Sequence, residues 1–236
     1  NFQAVKNYND LKLKINKLLS KKKSDNYCLL LNSIFVIKND IIDIFKNKIF
    51  NLHVGKLPEQ RGGGVTTWQF MSNIKFSAVT VHIVEDSLDT GNIIIEKKIS
   101  CKNLKIPQDF YKKAQKIEYK ALFDFFRKIY SGRIGKSIKQ NSKRSVYMPR
   151  LDTNIHSFIN WNWTAKEIVS FIRSFDYPFG GARSYIDGFL CILRDCHFHK
   201  EKINFHPFQY GLIYRVTSDY CFIAAQKGAI KTKINF

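Results

Sequence analysis

The sequence predicts an α/β protein in two parts: an open, mostly parallel sheet domain, then a smaller C-terminal α+β domain with a β-rich tail. Three observations predict it. Two apolar runs of strand length, Tyr27 to Ile37 and Lys48 to His53, flank a helix-forming segment, as buried parallel strands do. Asp109 to Ser131 is a long amphipathic segment with a glycine stop. From Ser184 to Phe236 short apolar runs alternate with turn residues, as in a small β-barrel or meander.

In chain order, Asn9 to Ser20 places Leu11, Ile15, Leu18 and Leu19 at helical spacing and runs into the Lys21 to Lys23 cluster, read as a solvated loop. Asn39 to Phe45 is the candidate crossover helix. Phe76 to Glu85 and Asn92 to Ile99, rich in Val, Ile and Thr, read as two further strands. In the long helix, Phe110, Ala114, Ile117, Ala121 and Phe125 share a face, and Gly132 ends it. Gly135 to Arg150 is polar with little periodicity, so the expected division is 1–134, a linker at 135–150, and 151–236. Thr164 to Glu167 reads as a capping box opening a helix that Pro178, Gly180 and Gly181 follow.

The 236 residues, 44% of them hydrophobic, suffice for one large or two small cores. No apolar stretch approaches the roughly 20 residues of a membrane helix, and the first residues lack a signal-peptide pattern. A cytoplasmic protein is expected. Five cysteines without CxxC spacing suggest reduced thiols. A net charge of +20 attracts nucleic acid, anionic membrane or phosphorylated small molecules alike, so charge alone does not choose among them. Cys191, Cys196, His197, His199 and His206 match no zinc spacing, and no metal is expected. Gly132 to Ser137 ends like a phosphate-binding loop, but Tyr130 stands where its first glycine belongs.

Chemistry concentrates in Asn51-Leu52-His53, Leu57-Pro58, Arg61-Gly62-Gly63-Gly64, and Thr80-x-His82 running to Asp89-Thr90-Gly91. Asn51 and His53, two apart at a strand's carboxyl end, face the same side, where open α/β sheets bind ligands. An amide and an imidazole there can donate to a developing oxyanion, and a carboxylate can orient the imidazole. Read singly, each residue fits a turn or a satisfied core position.

In order and spacing these elements resemble the folate-dependent formyltransferases, in which a strand ends in Asn-x-His, a Leu-Pro-x-x-Arg-Gly turn follows, and an aspartate sits in an Asp-Thr-Gly context. The resemblance implies a Rossmann-like catalytic domain, 10-formyltetrahydrofolate as co-substrate, and Asn51, His53 and Asp89 as the catalytic triad. It places Ser33, Ile34 and Phe35 in a folate-facing loop, and Glu85, Asp86 and Ser87 where main-chain groups meet the pterin. The Arg-Gly-Gly-Gly form, the aromatic-rich Val65 to Met71, and Asn160-Trp161-Asn162-Trp163 followed by Arg173 and Tyr177-Pro178-Phe179-Gly180-Gly181 are similar to the branch that acts on nucleotide-linked amino sugars. Asn160 departs from the acidic residue common there.

That branch implies a nucleotide-linked amino sugar, a dTDP-4-amino-4,6-dideoxy sugar of lipopolysaccharide O-antigen biosynthesis, as acceptor. Basic and aromatic side chains suit its pyrophosphate and base, which makes Arg61, Gly63, Trp68, Arg173 and Tyr177 the substrate-binding candidates. The competing expectation is a methionyl-tRNA formyltransferase, which would use the positive charge on phosphates. On the sugar reading neither a nucleic-acid nor a membrane partner is expected. Family members have a longer region before the catalytic Asn than the 50 residues preceding Asn51, so an open sheet edge is expected. Further upstream residues or a partner subunit, as in a homodimer, would cover it.

Overall fold

The computed structural model describes residues 4–20, 26–33, 35–46 and 48–235. The chain forms two compact units. One comprises Asn1–Gly62, Ala78–Lys98 and Lys116–Tyr147, the other Gly63–Ser77, Ile99–Gln115 and Met148–Phe236. No helix among the described residues is long and apolar enough to cross a membrane.

In the first unit, α1 (Tyr8–Leu19) starts at Asn7, whose side chain accepts from the Asp10 amide. Its Leu11, Ile15 and Leu19 pack on a core of Ile37, Ile41, Ile42, Phe45, Ile49 and Val84. That core joins β1 (Cys28–Leu31), the short α2 (Asn39–Ile42) with the 3-10 turn after it, and β2 (Ile49–His53). The apolar run expected as one strand from Tyr27 to Ile37 pairs only over Cys28–Leu31. Asn32 enters the left-handed region (φ 51°), and Ser33 then bonds both main-chain groups of Phe35. The Lys21 to Lys23 cluster lies outside the described residues.

The sheet runs in the order β1-β2-β3-β4, with β3 at Phe76–Ile83 and β4 at Ile93–Ser100. Strands β1 and β2 are parallel, whereas β2 and β3 are antiparallel. The Rossmann-like sheet is therefore mixed; apolar composition reveals burial of a strand but not its direction. β1 is an edge strand in this order, and Leu31 is 53% exposed.

Of residues 135–150, expected to be a linker, 135–147 fall in the first unit and 148–150 in the second. Ile138 bridges Ile93, and Tyr147 bridges Arg61. Between the strands and that segment runs the long helix, shown as α4 (Pro107–Tyr130), after α3 (Val65–Met71). It opens with Pro at its first position and the Asp109 carboxylate on the amides of Lys105 and Ile106, and Gly132 beyond it adopts φ 65°.

The second unit holds α5 (Thr153–His156) and α6 (Ala165–Ser174). α6 starts at the expected capping box, with Thr164 and Glu167 each bonding the other's backbone. Ile168, Phe171, Ile172 and Phe175 pack on Leu193, Ile223 and Ile230 of an antiparallel sheet ordered β5-β6-β9-β8-β7. Its strands are β5 (Ala182–Ile186), β6 (Phe189–His199), β7 (Ile213–Val216), β8 (Cys221–Ala225) and β9 (Gly228–Asn235). Because β9 lies between β6 and β8, the tail is not a simple meander. Removing the cap by Thr164→Ala is expected to lower stability by about 1 kcal/mol, read from a urea midpoint at unchanged slope.

Candidate active site

Four polar side chains converge at the carboxyl end of β2. Alternation along β2 sends Asn51 and His53 to one face, and the antiparallel register sets Asn51 opposite His82 and His53 opposite Thr80 on β3. Beyond β2 the chain turns through Gly55 and a cis Leu57-Pro58 bond. A Cβ at Gly55 would collide with the His53 ring and the Gln60 carbonyl, so glycine is what lets the imidazole lie under this turn.

Asp89 enters from the loop between β3 and β4. It adopts φ 54°, a left-handed conformation that aspartate tolerates better than most residues, and is only 7% exposed. Its Oδ2 accepts from the Gly62 amide at 2.9 Å and lies 3.6 Å from His53 Nδ1. Its Oδ1 is 3.3 Å from His82 Nε2 and 3.4 Å from Asn51 Nδ2. The structure thus brings Asn51, His53 and Asp89 together, with His82 as a fourth member.

The protons on His53 follow from its partners. Nε2 lies 2.6 Å from the Gln60 carbonyl, which can only accept, so Nε2 carries the hydrogen and the neutral ring keeps its lone pair on Nδ1, toward Asp89. Burial lowers the proton affinity of His53, and the Asp89 carboxylate pulls the other way without reversing it. For Asp89, burial raises the pKa, but His82, His53 and the Gly62 amide together hold the carboxyl below the usual carboxylate range.

Gln140, in the segment expected to link the domains, fastens the aspartate loop. Its amide nitrogen donates to the carbonyls of Asp89 (2.9 Å) and Gly91 (2.7 Å), while its oxygen accepts from Arg61 at 2.8 and 3.2 Å. Arg61 therefore reaches the site loop through Gln140. Gly91 packs so closely on the Ile83 carbonyl that any Cβ would overlap it, which accounts for the glycine of Asp-Thr-Gly.

The formyl transferase family model matches residues 3–125, more than half of the chain, and the model of the formyl transferase C-terminal domain matches residues 153–234. The chain belongs to the formyltransferase family. The methionyl-tRNA formyltransferase of Thermodesulfovibrio yellowstonii is 27% identical over 177 residues, 74% of this chain and 56% of that relative. The chain therefore spans little more than half the length of this curated relative.

The N-formyltransferase from Helicobacter canadensis, solved with folinic acid and dTDP-3-aminofucose, superposes with a TM-score of 0.70 at 22% identity. It covers 88% of this chain and 73% of its own. HypX from Aquifex aeolicus superposes at 0.72 with 16% identity, over 97% of this chain and 38% of its own. At these identities the solved structures speak for the fold.

Within the first unit of this family member, Ser33 and Phe35 form the turn after β1, with Phe35 edge-on to Tyr8, and Ile34 lies outside the described residues. Glu85, Asp86 and Ser87 are exposed in the loop leading to Asp89, where Ser87 accepts from the Thr90 hydroxyl. The remaining sequence candidates belong to the second unit. Gly63 is exposed, and the Trp68 indole donates to the Pro149 carbonyl at 2.8 Å. Arg173 donates through Nε to the Cys196 carbonyl, and exposed Tyr177 lies under the Arg194 guanidinium at 4.1 Å. Among the described residues no three His, Cys, Asp or Glu side chains are grouped as metal ligands.

Two outcomes are expected. Gly91→Ala should destabilise the protein by about 1–3 kcal/mol in urea unfolding, because the added carbon overlaps a backbone carbonyl that cannot rotate away. His53, with a depressed pKa in the fold, keeps its stability contribution above its unfolded value of about 6.5 and loses it as acidification carries the pH down toward the folded value. The urea midpoint should consequently drop between about pH 7.5 and 5 in the wild type and drop less in His53→Gln.

Proposed function

We propose that this chain transfers a formyl group from 10-formyltetrahydrofolate to the amine of a nucleotide-linked amino sugar, of the dTDP-4-amino-4,6-dideoxy type used in surface polysaccharide biosynthesis. The carrying observation is the buried cluster in which the Asn51 amide, the lone pair on His53 Nδ1 and the Asp89 carboxylate meet within 3.4–3.6 Å. Family membership supports the reaction class.

The chemistry needs those three groups. A neutral amine attacks the formyl carbon, the new C–N bond forms, and the former carbonyl oxygen becomes an oxyanion. Asn51 Nδ2 is the amide donor for that charge. The attacking nitrogen must then lose a proton. His53 accepts it at Nδ1, where Asp89 Oδ2 stabilises the imidazolium, and the same proton passes to the departing folate nitrogen as the original C–N bond breaks. No net proton is gained or lost. Depressed proton affinity suits His53 to this relay, because the ring is neutral and basic at the start of each turn.

Two observations support the sugar acceptor: the Arg61 to Gly64 form with Trp68, and the fold shared with a protein solved in complex with dTDP-3-aminofucose. Arg61, Gly63, Trp68, Arg173 and Tyr177 are the side chains and backbone assigned to the nucleotide and sugar. Ser33, Ile34, Phe35 and residues 85–87 are assigned to the folate. All five cysteines are free, and a cytoplasmic setting fits. A second reading, formylation of methionyl-tRNA, is favoured by the names of curated relatives and by the net charge of +20.

The test is tetrahydrofolate release from 10-formyltetrahydrofolate in the presence of dTDP-linked 3- and 4-amino sugars or methionyl initiator tRNA. Turnover with an amino sugar is expected, and turnover with tRNA alone would reverse the acceptor. His53→Ala and Asp89→Asn should each lower kcat by about 10²–10⁴-fold while leaving the melting temperature within a few degrees. Rates near wild type in both would refute the relay.

A further inference from the structure

β3 is buried along most of its length: Ala78, Val79 and Val81 are apolar and fully enclosed, and the small hydroxyl of buried Thr80 bonds the Gly55 carbonyl. His82, at 2% exposure, breaks that pattern. A buried imidazole is costlier than an aliphatic side chain unless both nitrogens find partners. Nδ1 faces the Ile83 carbonyl at 2.7 Å, which can only accept, so this nitrogen carries a hydrogen and fixes the ring plane. Nε2 is thereby aimed at the cluster, 3.3 Å from Asp89 Oδ1 and 3.3 Å from Asn51 Nδ2, and those two atoms are themselves 3.4 Å apart. To donate to Oδ1, Nε2 must carry a hydrogen as well, which is the imidazolium form, and the Asn51 Nδ2 donor beside it is then a neighbour and not a partner.

Resting on the formyl-transfer reading above, we propose that His82, in its imidazolium form, is a positioning residue that holds the Asp89 carboxylate in its reacting orientation. It sits opposite Asn51 in the strand register, so no loop movement is needed to keep the two in reach. The carboxylate is gripped at both ends: Oδ2 by the Gly62 amide, Oδ1 by His82 and Asn51. Without His82, the Oδ1 end keeps, among the described residues, only the long contact to Asn51. The carboxylate is then free to rotate about its last side-chain bond, which moves Oδ2 relative to His53 Nδ1. His82 so acts through Asp89, without touching the transferred carbon.

A kinetic cycle and one spectrum test this. With the acceptor that the wild type formylates, His82→Phe should lower kcat by about 30- to 100-fold with KM for both substrates changed less than about threefold, and His82→Gln, which returns a polar atom, should recover about a tenth or more of wild-type kcat. The double variant His82→Phe/Asp89→Asn should be within about threefold of Asp89→Asn alone, because residues acting as a unit are not additive. A His82→Phe kcat within threefold of wild type, or a double variant carrying the full product of both losses, would overturn the role.

The spectrum reads the contact without turnover. In ¹⁵N NMR of the full chain, Asp89→Asn should shift the His82 Nε2 resonance and leave Nδ1 in place. An unmoved Nε2 would contradict the contact even if His82→Phe failed to fold. A wild type that formylates no acceptor would sink the reaction class instead, while this spectrum still decides whether His82 holds Asp89.

Discussion

The site depends on keeping one carboxylate ionised inside the fold. Asp89 is almost wholly buried, and among the described residues no lysine or arginine pairs with it; its partners are the Gly62 amide, the Asn51 amide and two imidazoles. Burying an isolated carboxylate costs far more than an ordinary hydrogen bond returns, so the loop must deliver all of these contacts at once. That requirement accounts for the local backbone. Asp89 takes a left-handed conformation, Gly91 lies against the Ile83 carbonyl, and Gln140 bonds two carbonyls of the same loop.

The sheet supplies the other half. The alternation of β2 and its antiparallel register with β3 put Asn51, His53 and His82 on one face without a loop. Rigid strands hold the donors, and the base and the carboxylate are fixed by backbone groups, Gln60 for one and Gly62 for the other. Such preorganisation matters because a donor aimed before charge develops need not reorganise when it does. The proposed relay starts from the neutral form of His53, which burial favours and the nearby carboxylate moderates.

The sequence disclosed a great deal of this, unevenly. Asn51, His53 and Asp89 were legible because each stands in a local pattern, strand end or tight turn, and the patterns recur in a fixed order. The helix ends were legible for the same reason: the Thr164 and Glu167 box and the Gly132 stop are written within a few residues. Long-range pairing was hidden. His82 was visible as a residue, but its place opposite Asn51 depends on a register that no window of sequence contains. Gln140 lies 51 residues from Asp89 in a polar segment that reads as a linker, because a side chain bonding backbone carbonyls leaves no periodicity. Gly55 reads as an ordinary turn glycine until the His53 ring is seen beneath it. Strand direction was hidden too, which is why a mostly parallel sheet was expected where β2 and β3 are antiparallel.

The central claim is that the fold keeps Asp89 charged although it is enclosed. The most direct measurement is a pH titration of the Asp89 side-chain carboxyl carbon by ¹³C NMR in the folded protein. Its shift is expected to stay at the carboxylate value below the pH, about 3.9, at which an ordinary aspartate is half protonated. A carboxyl that takes up its proton at or above that pH would contradict it, and with it the relay assigned to His53.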